Sequence, residues 1–122
     1  MAKLVSIVQM DVDTSNKIVI GYRPNINNTA SKTYTLSDAG TYYYCTNTTA
    51  IILTVPIDSS VSFPIGTEIE NKKGGSGALS IDVQAGASLL GDSGVVLTTP
   101  FSLSKGCCLK KVLINSWVLE GS

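Results

Sequence analysis

No segment of this chain holds a 3.6-residue apolar period for three turns, and long Ala/Leu/Glu/Lys stretches are missing. What recurs instead is a short β-branched or aliphatic run followed by turn residues. Such runs are Leu4 to Gln9, Lys17 to Tyr22, Thr33 to Leu36, Tyr42 to Cys45, Ile51 to Val55, Thr67 to Asn71, Leu79 to Gln84, Val95 to Thr99, Cys107 to Ile114 and Trp117 to Glu120. This spacing specifies an all-β chain: a short-stranded sandwich, a barrel or an intertwined β-fold. At 122 residues there is material for one modest core.

The turns divide the chain. Lys73-Gly74-Gly75-Ser76-Gly77 separates two alternating runs and predicts a tight or bulged hairpin, with glycines supplying positive φ. Pro56 and Pro64 confine the residues between them to a loop or edge strand, because proline donates nothing to a ladder. Asn25 to Lys32 is polar, follows Pro24 and lacks alternation, which predicts a linker. Residues 1–32 then form an extended N-terminal arm with its linker, and 33–122 form the main β-module. The arm's Leu4, Val5, Ile7, Val8, Ile18 and Ile20 are aliphatic, but two strands cannot build a core alone. They are expected to anchor on the body, a sister subunit or another protein.

Nine Lys plus Arg balance nine Asp plus Glu, so the chain lacks the basic field of a nucleic-acid binder. The doublets Lys72-Lys73 and Lys110-Lys111 are expected on solvated faces or guarded sheet edges. No apolar run approaches the roughly eighteen residues of a membrane-spanning helix, and the N-terminal apolar stretch is too short for a secretion signal. Neither nucleic acid nor membrane is expected as a partner, and the protein is expected to remain in the cytosol until assembly or lysis.

Histidine is absent from the sequence, which removes the commonest general base and the commonest metal ligand together. Cys45, Cys107 and Cys108 are odd in number and two are adjacent, so they read as reduced thiols rather than as a disulfide or zinc framework. Glu68 and Glu70 share one strand face through their two-residue spacing, as a solvated stripe does, whereas a glycosidase sets its carboxylates across a cleft. The glycine-rich stretch 74–77 lacks the Gly-Lys-Ser/Thr of a phosphate loop. No enzymatic activity, cofactor or metal is expected. Asp38 to Cys45 is similar to an immunoglobulin tyrosine corner, but an earlier cysteine and an intervening tryptophan are missing.

An ordered series of phrases resembles a β-rich module of tailed-bacteriophage virion proteins, found among capsid decoration, head-fibre and tail-fibre proteins. The phrases are Tyr34-Thr35-Leu36-Ser37-Asp38-Ala39-Gly40, Ala50-Ile51-Ile52-Leu53-Thr54-Val55-Pro56, and Val61-Ser62-Phe63-Pro64-Ile65-Gly66-Thr67-Glu68-Ile69. The glycine turn with Leu79 to Val83, then Ala85 to Leu90, and finally Asn115-Ser116-Trp117-Val118-Leu119-Glu120-Gly121 complete the series. Cys107-Cys108 departs from the family pattern, and residues 1–32 have no counterpart in it.

The resemblance implies a structural role and threefold assembly: a homotrimer that decorates a capsid, as a cement or head-fibre protein, by binding the major capsid protein. The arm is the expected clamp. Phe63, Ile65, Trp117 and Leu119 are expected to pack in the core or between subunits. The location implied is the virion, assembled in the bacterial host's cytoplasm. The alternative is a tail-fibre or receptor-binding module for surface glycan, with Tyr22, Tyr34, Tyr42, Tyr43 and Tyr44 as stacking candidates.

Overall fold

A computed structural model describes residues 24–121 and the backbone of two short strands upstream, β1 (Asp11–Val12) and β2 (Ile18–Val19), which pair antiparallel. The fold is all-β. Ten further strands follow: β3 (Asn25–Asn28), β4 (Lys32–Thr33), β5 (Tyr42–Cys45), β6 (Ile51–Val55), β7 (Glu68–Lys73), β8 (Leu79–Val83), β9 (Ser88–Leu90), β10 (Phe101–Leu103), β11 (Gly106–Leu113) and β12 (Ser116–Glu120). Two short 3-10 turns, η1 (Leu36–Asp38) and η2 (Asp92–Gly94), interrupt them.

From β3 to β11 each strand lies in the sheet opposite its predecessor. The result is a six-stranded sheet, β3-β5-β7-β11-β12-β9, facing a four-stranded sheet, β10-β8-β6-β4. β3, β5 and β7 are mutually parallel, and so are β4, β6 and β8, so the chain winds in successive coils like a short solenoid. Tyr42 lies beside Glu70 and Ile51 beside Leu79, the same offset in both sheets. β10, β11 and β12 then close the winding in antiparallel register. The parallel pairing sets this sandwich apart from the antiparallel immunoglobulin arrangement.

The alternation of each strand sorts its side chains. In Ile51-Ile52-Leu53-Thr54-Val55 the first, third and fifth residues are buried. Tyr43, Cys45, Ile69 and Leu109 from the larger sheet meet Leu53, Val55, Leu79 and Ile81 from the smaller one. Trp117 is 1% exposed and meets Phe63 edge-on, with ring centroids 5.3 Å apart at 89°.

Four sequence expectations are corrected here. Asn25 to Lys32 is not a linker: it contains β3 and reaches β4, and the expected boundary at 32/33 falls inside β4. Its polar residues suit an edge strand, and among the described residues β3 pairs only with β5. The stretch 74–77 is not a hairpin, because β7 and β8 belong to different sheets. Those glycines are required by close approach: a Cβ on Gly75 would lie 2.3 Å from the Asn47 carbonyl oxygen, and one on Gly77 would lie 2.4 Å from that of Thr49. Val95 to Thr99 is not a strand, since η2 and the bond from Gly91 N to Val95 O turn the chain and leave only a bridge between Val96 and Leu90.

The fourth correction is Lys111, expected on a solvated face and in fact 2% exposed. It lies on the inward side of β11, two residues beyond Leu109. Its ammonium donates to Asp58 Oδ2 at 2.8 Å and to the Phe63 carbonyl at 2.6 Å. Asp58 in turn accepts from Asn115 N through Oδ1 at 3.3 Å, while its own N donates to Asn115 Oδ1 at 2.7 Å. One buried cation thus pins the 57–63 loop to the β11–β12 hairpin.

Two substitutions separate packing from charge pairing. Trp117→Ala is expected to destabilise by about 3–5 kcal/mol through the cavity it leaves. Asp58→Ala is expected to cost a similar 3–5 kcal/mol or so by leaving the Lys111 ammonium buried without its counter-charge. Denaturant melts of both variants check this, and a wild-type midpoint for either would contradict the corresponding assignment.

Candidate interaction surface

The outward residues of the six-stranded sheet form a chemically defined row. Tyr42 of β5 lies opposite Glu70 of β7, Glu70 opposite Cys108 of β11, and Cys108 opposite Glu120 of β12. Two residues further along β5 and β7, Tyr44 lies opposite Lys72. A groove of about 310 Å³ runs over this row, with Lys105 and Gly106 on its far wall. Carboxylates mark one end of the groove and lysines the other. Glu68 and Glu70 do share the outward face of β7, as their spacing implies, and Glu68 pairs with Lys110 at 3.7 Å.

A second polar constellation closes the sandwich beside β3 and β4. Lys32 lies opposite Leu53, on the inward side of the edge strand β4, where an aliphatic residue would continue the core. Its ammonium meets Asp38 Oδ2 at 2.9 Å and donates to the Tyr43 hydroxyl at 2.7 Å. Tyr43 also donates to Asp38 Oδ1, and Thr35 N donates to Oδ2 at 2.7 Å. An inward charge on an edge strand discourages further strand addition. Burial by itself pushes the Asp38 carboxyl up, but hydrogen bonds from Tyr43, Thr35 and Lys32 outweigh it and hold the pKa below its ordinary value. Deeper in, Tyr34 donates to Asn71 Oδ1 at 2.6 Å, and burial drives its pKa well above that of a free tyrosine.

Ile26, Tyr44 and Ile52 are the exposed apolar residues within strands β3, β5 and β6, but the most exposed ones lie in loops or at a strand end. Ile65, Leu113 and Ile114 are 60%, 62% and 69% exposed. The first adjoins Gly66, whose N donates to Lys111 O at 2.8 Å, and the other two follow Lys111 at the tip of the β11–β12 hairpin. The buried Lys111 pin therefore holds all three on one end of the molecule. Val95 and Val96 stand apart beside the edge strand β9.

Of the residues expected to pack in the core or between subunits, Phe63, Trp117 and Leu119 are core. Ile65 is not: its side chain follows Pro64 out of the loop while Phe63 turns inward. The arm residues Leu4, Val5, Ile7, Val8 and Ile20 lie outside the described residues, and Ile18 is placed only as backbone in β2, opposite Val12. Of the proposed stacking tyrosines, Tyr22 lies outside the described residues and Tyr34 and Tyr43 are buried, which leaves Tyr42 and Tyr44 on the outward face of β5. Sequence reasoning missed the row Tyr42–Glu70–Cys108–Glu120. Strand alternation places each of these on an outward face, but which strands adjoin is a tertiary fact.

Among the described residues no group of three or more Cys, Asp or Glu is placed to hold a metal ion, and no helix is long and apolar enough to cross a membrane. No protein-family model, curated protein or solved structure matches the chain.

The three thiols differ sharply. Burial pushes Cys107 up to about 12 and also raises Cys45, while Cys108 faces the groove half-buried. Alkylation at neutral pH, followed by peptide mapping, should therefore modify Cys108 first and leave Cys45 and Cys107 protected in the folded chain. Preferential labelling of Cys107 would contradict this.

Asp38 generates a pH dependence with a definite sign. Its folded pKa lies below the unfolded value of 3.8, so its contribution is complete above that pH and is lost as pH falls through the folded pKa. Asp38→Asn should lower stability at neutral pH by about 2 kcal/mol and flatten the stability profile below about pH 4. Melts across that range check both effects.

Proposed function

We propose that this protein is a structural component of a tailed-bacteriophage particle, a homotrimeric capsid decoration protein that binds the major capsid protein. The observation that carries the reading is the rigid apolar end formed by Ile65, Leu113 and Ile114 on a chain whose core is already filled by other residues. Exposed apolar side chains held beside the buried Lys111–Asp58 pair, by the backbone bonds from Gly66 N to Lys111 O and from Lys111 N to Thr67 O, suit a standing contact with another protein surface. Charged residues make up only 15% of the sequence, so little of the remaining surface opposes association.

The phrases that resemble the virion module also fall on successive structural units. Tyr34 to Gly40 spans the crossing with η1, Ala50 to Pro56 contains β6, and Val61 to Ile69 carries the Phe63 loop into β7. Leu79 to Val83 is β8, and Asn115 to Gly121 carries β12. A glycan-binding role has less to draw on, because among the described tyrosines only Tyr42 and Tyr44 face outward.

Light scattering on a size-exclusion column is expected to return the mass of three chains, and Ile65→Glu with Leu113→Glu should reduce it. A chain lacking residues 1–24 should no longer add to purified capsids at wild-type occupancy. A monomer at micromolar concentration would overturn the trimer, and wild-type occupancy by the truncated chain would overturn the anchoring role of the arm.

A further inference from the structure

Resting on the homotrimeric reading above, we infer that the subunit contact is heterologous: the apolar end formed by Ile65, Leu113 and Ile114 on one copy seats in a recess at the opposite end of β12 on the next copy. The recess, of about 340 Å³, opens where the edge strands β9 and β10 end the two sheets. Leu119 of β12, Phe101 of β10 and Leu97 line it, and Asp92 is the one charged residue in its wall. The turn that supplies Asp92 and Leu97 also carries the exposed Val95 and Val96, which extend the apolar surface outward.

The convex end and the recess mark the two ends of one strand. Leu113 and Ile114 precede Asn115 at the tip that leads into β12, and Leu119 lies four residues beyond Asn115, about 13 Å along the strand. The tip points away from Leu119, so a chain cannot fill its own recess. The tip is also firmly held. Asn115 O accepts from Ser88 N at 2.8 Å, and its side-chain oxygen accepts from Asp58 N at 2.7 Å.

Charge matches the two surfaces to each other. Neither Pro64 to Thr67 nor Val112 to Ser116 contains a charged residue, and neither does the stretch from Ser93 to Ser104. The lysines nearest the convex end are already matched, Lys111 by Asp58 at 2.8 Å and Lys110 by Glu68 at 3.7 Å. Seating one surface in the other therefore strands no lysine away from its counter-charge. Symmetry then selects a second copy of this chain as the occupant. Two unlike surfaces that fit each other make a head-to-tail contact, which closes into a ring, whereas a self-complementary patch stops at a pair. A ring of three leaves no convex end and no recess uncovered.

Co-expressing full-length chains carrying Val96→Cys with full-length chains carrying Leu113→Cys, then adding a short bis-maleimide, tests the contact directly. Peptide mapping should find links between positions 96 and 113 about tenfold in excess of 96–96 and 113–113 links, because a heterologous contact brings the unlike positions together. By light scattering, Val95→Glu with Val96→Glu should lower the mass from three chains to one while the far-UV spectrum stays that of the unmodified protein. If that variant does not fold, the cross-link alone decides. A retained three-chain mass would overturn the recess and leave the trimer standing. A majority of links between like positions would overturn the heterologous contact, and so would 96–113 links no more frequent than those from Leu36→Cys, an exposed position on η1, to Leu113→Cys. A single-chain mass for the unmodified protein at micromolar concentration would overturn the trimer and this contact together.

Discussion

Each crossing between the two sheets has to stack on the crossing before it at the spacing of adjacent strands, about 4.8 Å, and the rest of the structure follows from meeting that constraint. Between β7 and β8 it is met by removing side chains. Gly75 and Gly77 lie directly against the backbone at Asn47 and Thr49, in the crossing between β5 and β6. The lower crossing answers with a buried asparagine. Asn47 donates through Nδ2 to the carbonyls of Thr49 and Ala78, at 2.8 and 3.0 Å, and its backbone oxygen accepts from Gly77 N at 2.9 Å. With the two turns in contact, β5 pairs with β7 and β6 with β8 in parallel register, and both inward faces line one core.

A winding of this kind leaves its ends to be closed, and polar groups do this work. At the β3/β4 end Lys32 points inward where a solenoid would continue, and Asp38 and Tyr43 satisfy it. Beyond β7 the coil gives way to antiparallel strands, and the buried Lys111 ties the irregular loop 57–63 to the terminal hairpin. Both lysines replace aliphatic contact with directed bonds. A leucine at either position would bury more apolar surface, but it would not specify where Asp58 or Asp38 must sit, so these pairs fix geometry more than they add stability.

That division of labour bears on function. Pinning the loop frees Ile65 from the core and sets it, with Leu113 and Ile114, on one end of the molecule. The outward face of the larger sheet instead carries phenol, carboxylate and thiol in register, with lysines beyond them. The molecule therefore offers two surfaces of different chemistry, one apolar and at a loop end, the other charged and beside the point where the N-terminal segment joins the sandwich.

Much of the fold was legible because strand alternation is a local property. Tyr42–Cys45 and Ile51–Val55 stand where their sequence placed them, and Trp117 and Leu119 face the core as period two requires. The missing histidine and the balanced charge are likewise facts of sequence that no fold alters. Pairing was not legible, since two strands joined by a glycine-rich turn look the same from sequence whether they return as a hairpin or cross to a facing sheet. Only the tertiary structure decided that 74–77 crosses, that polar Asn25–Asn28 joins a sheet as its edge, and that Lys111 is buried while its neighbour Lys110 is not. Each of these depends on which backbone lies 5 Å or so away across the fold, and that neighbour is supplied by residues distant in the chain.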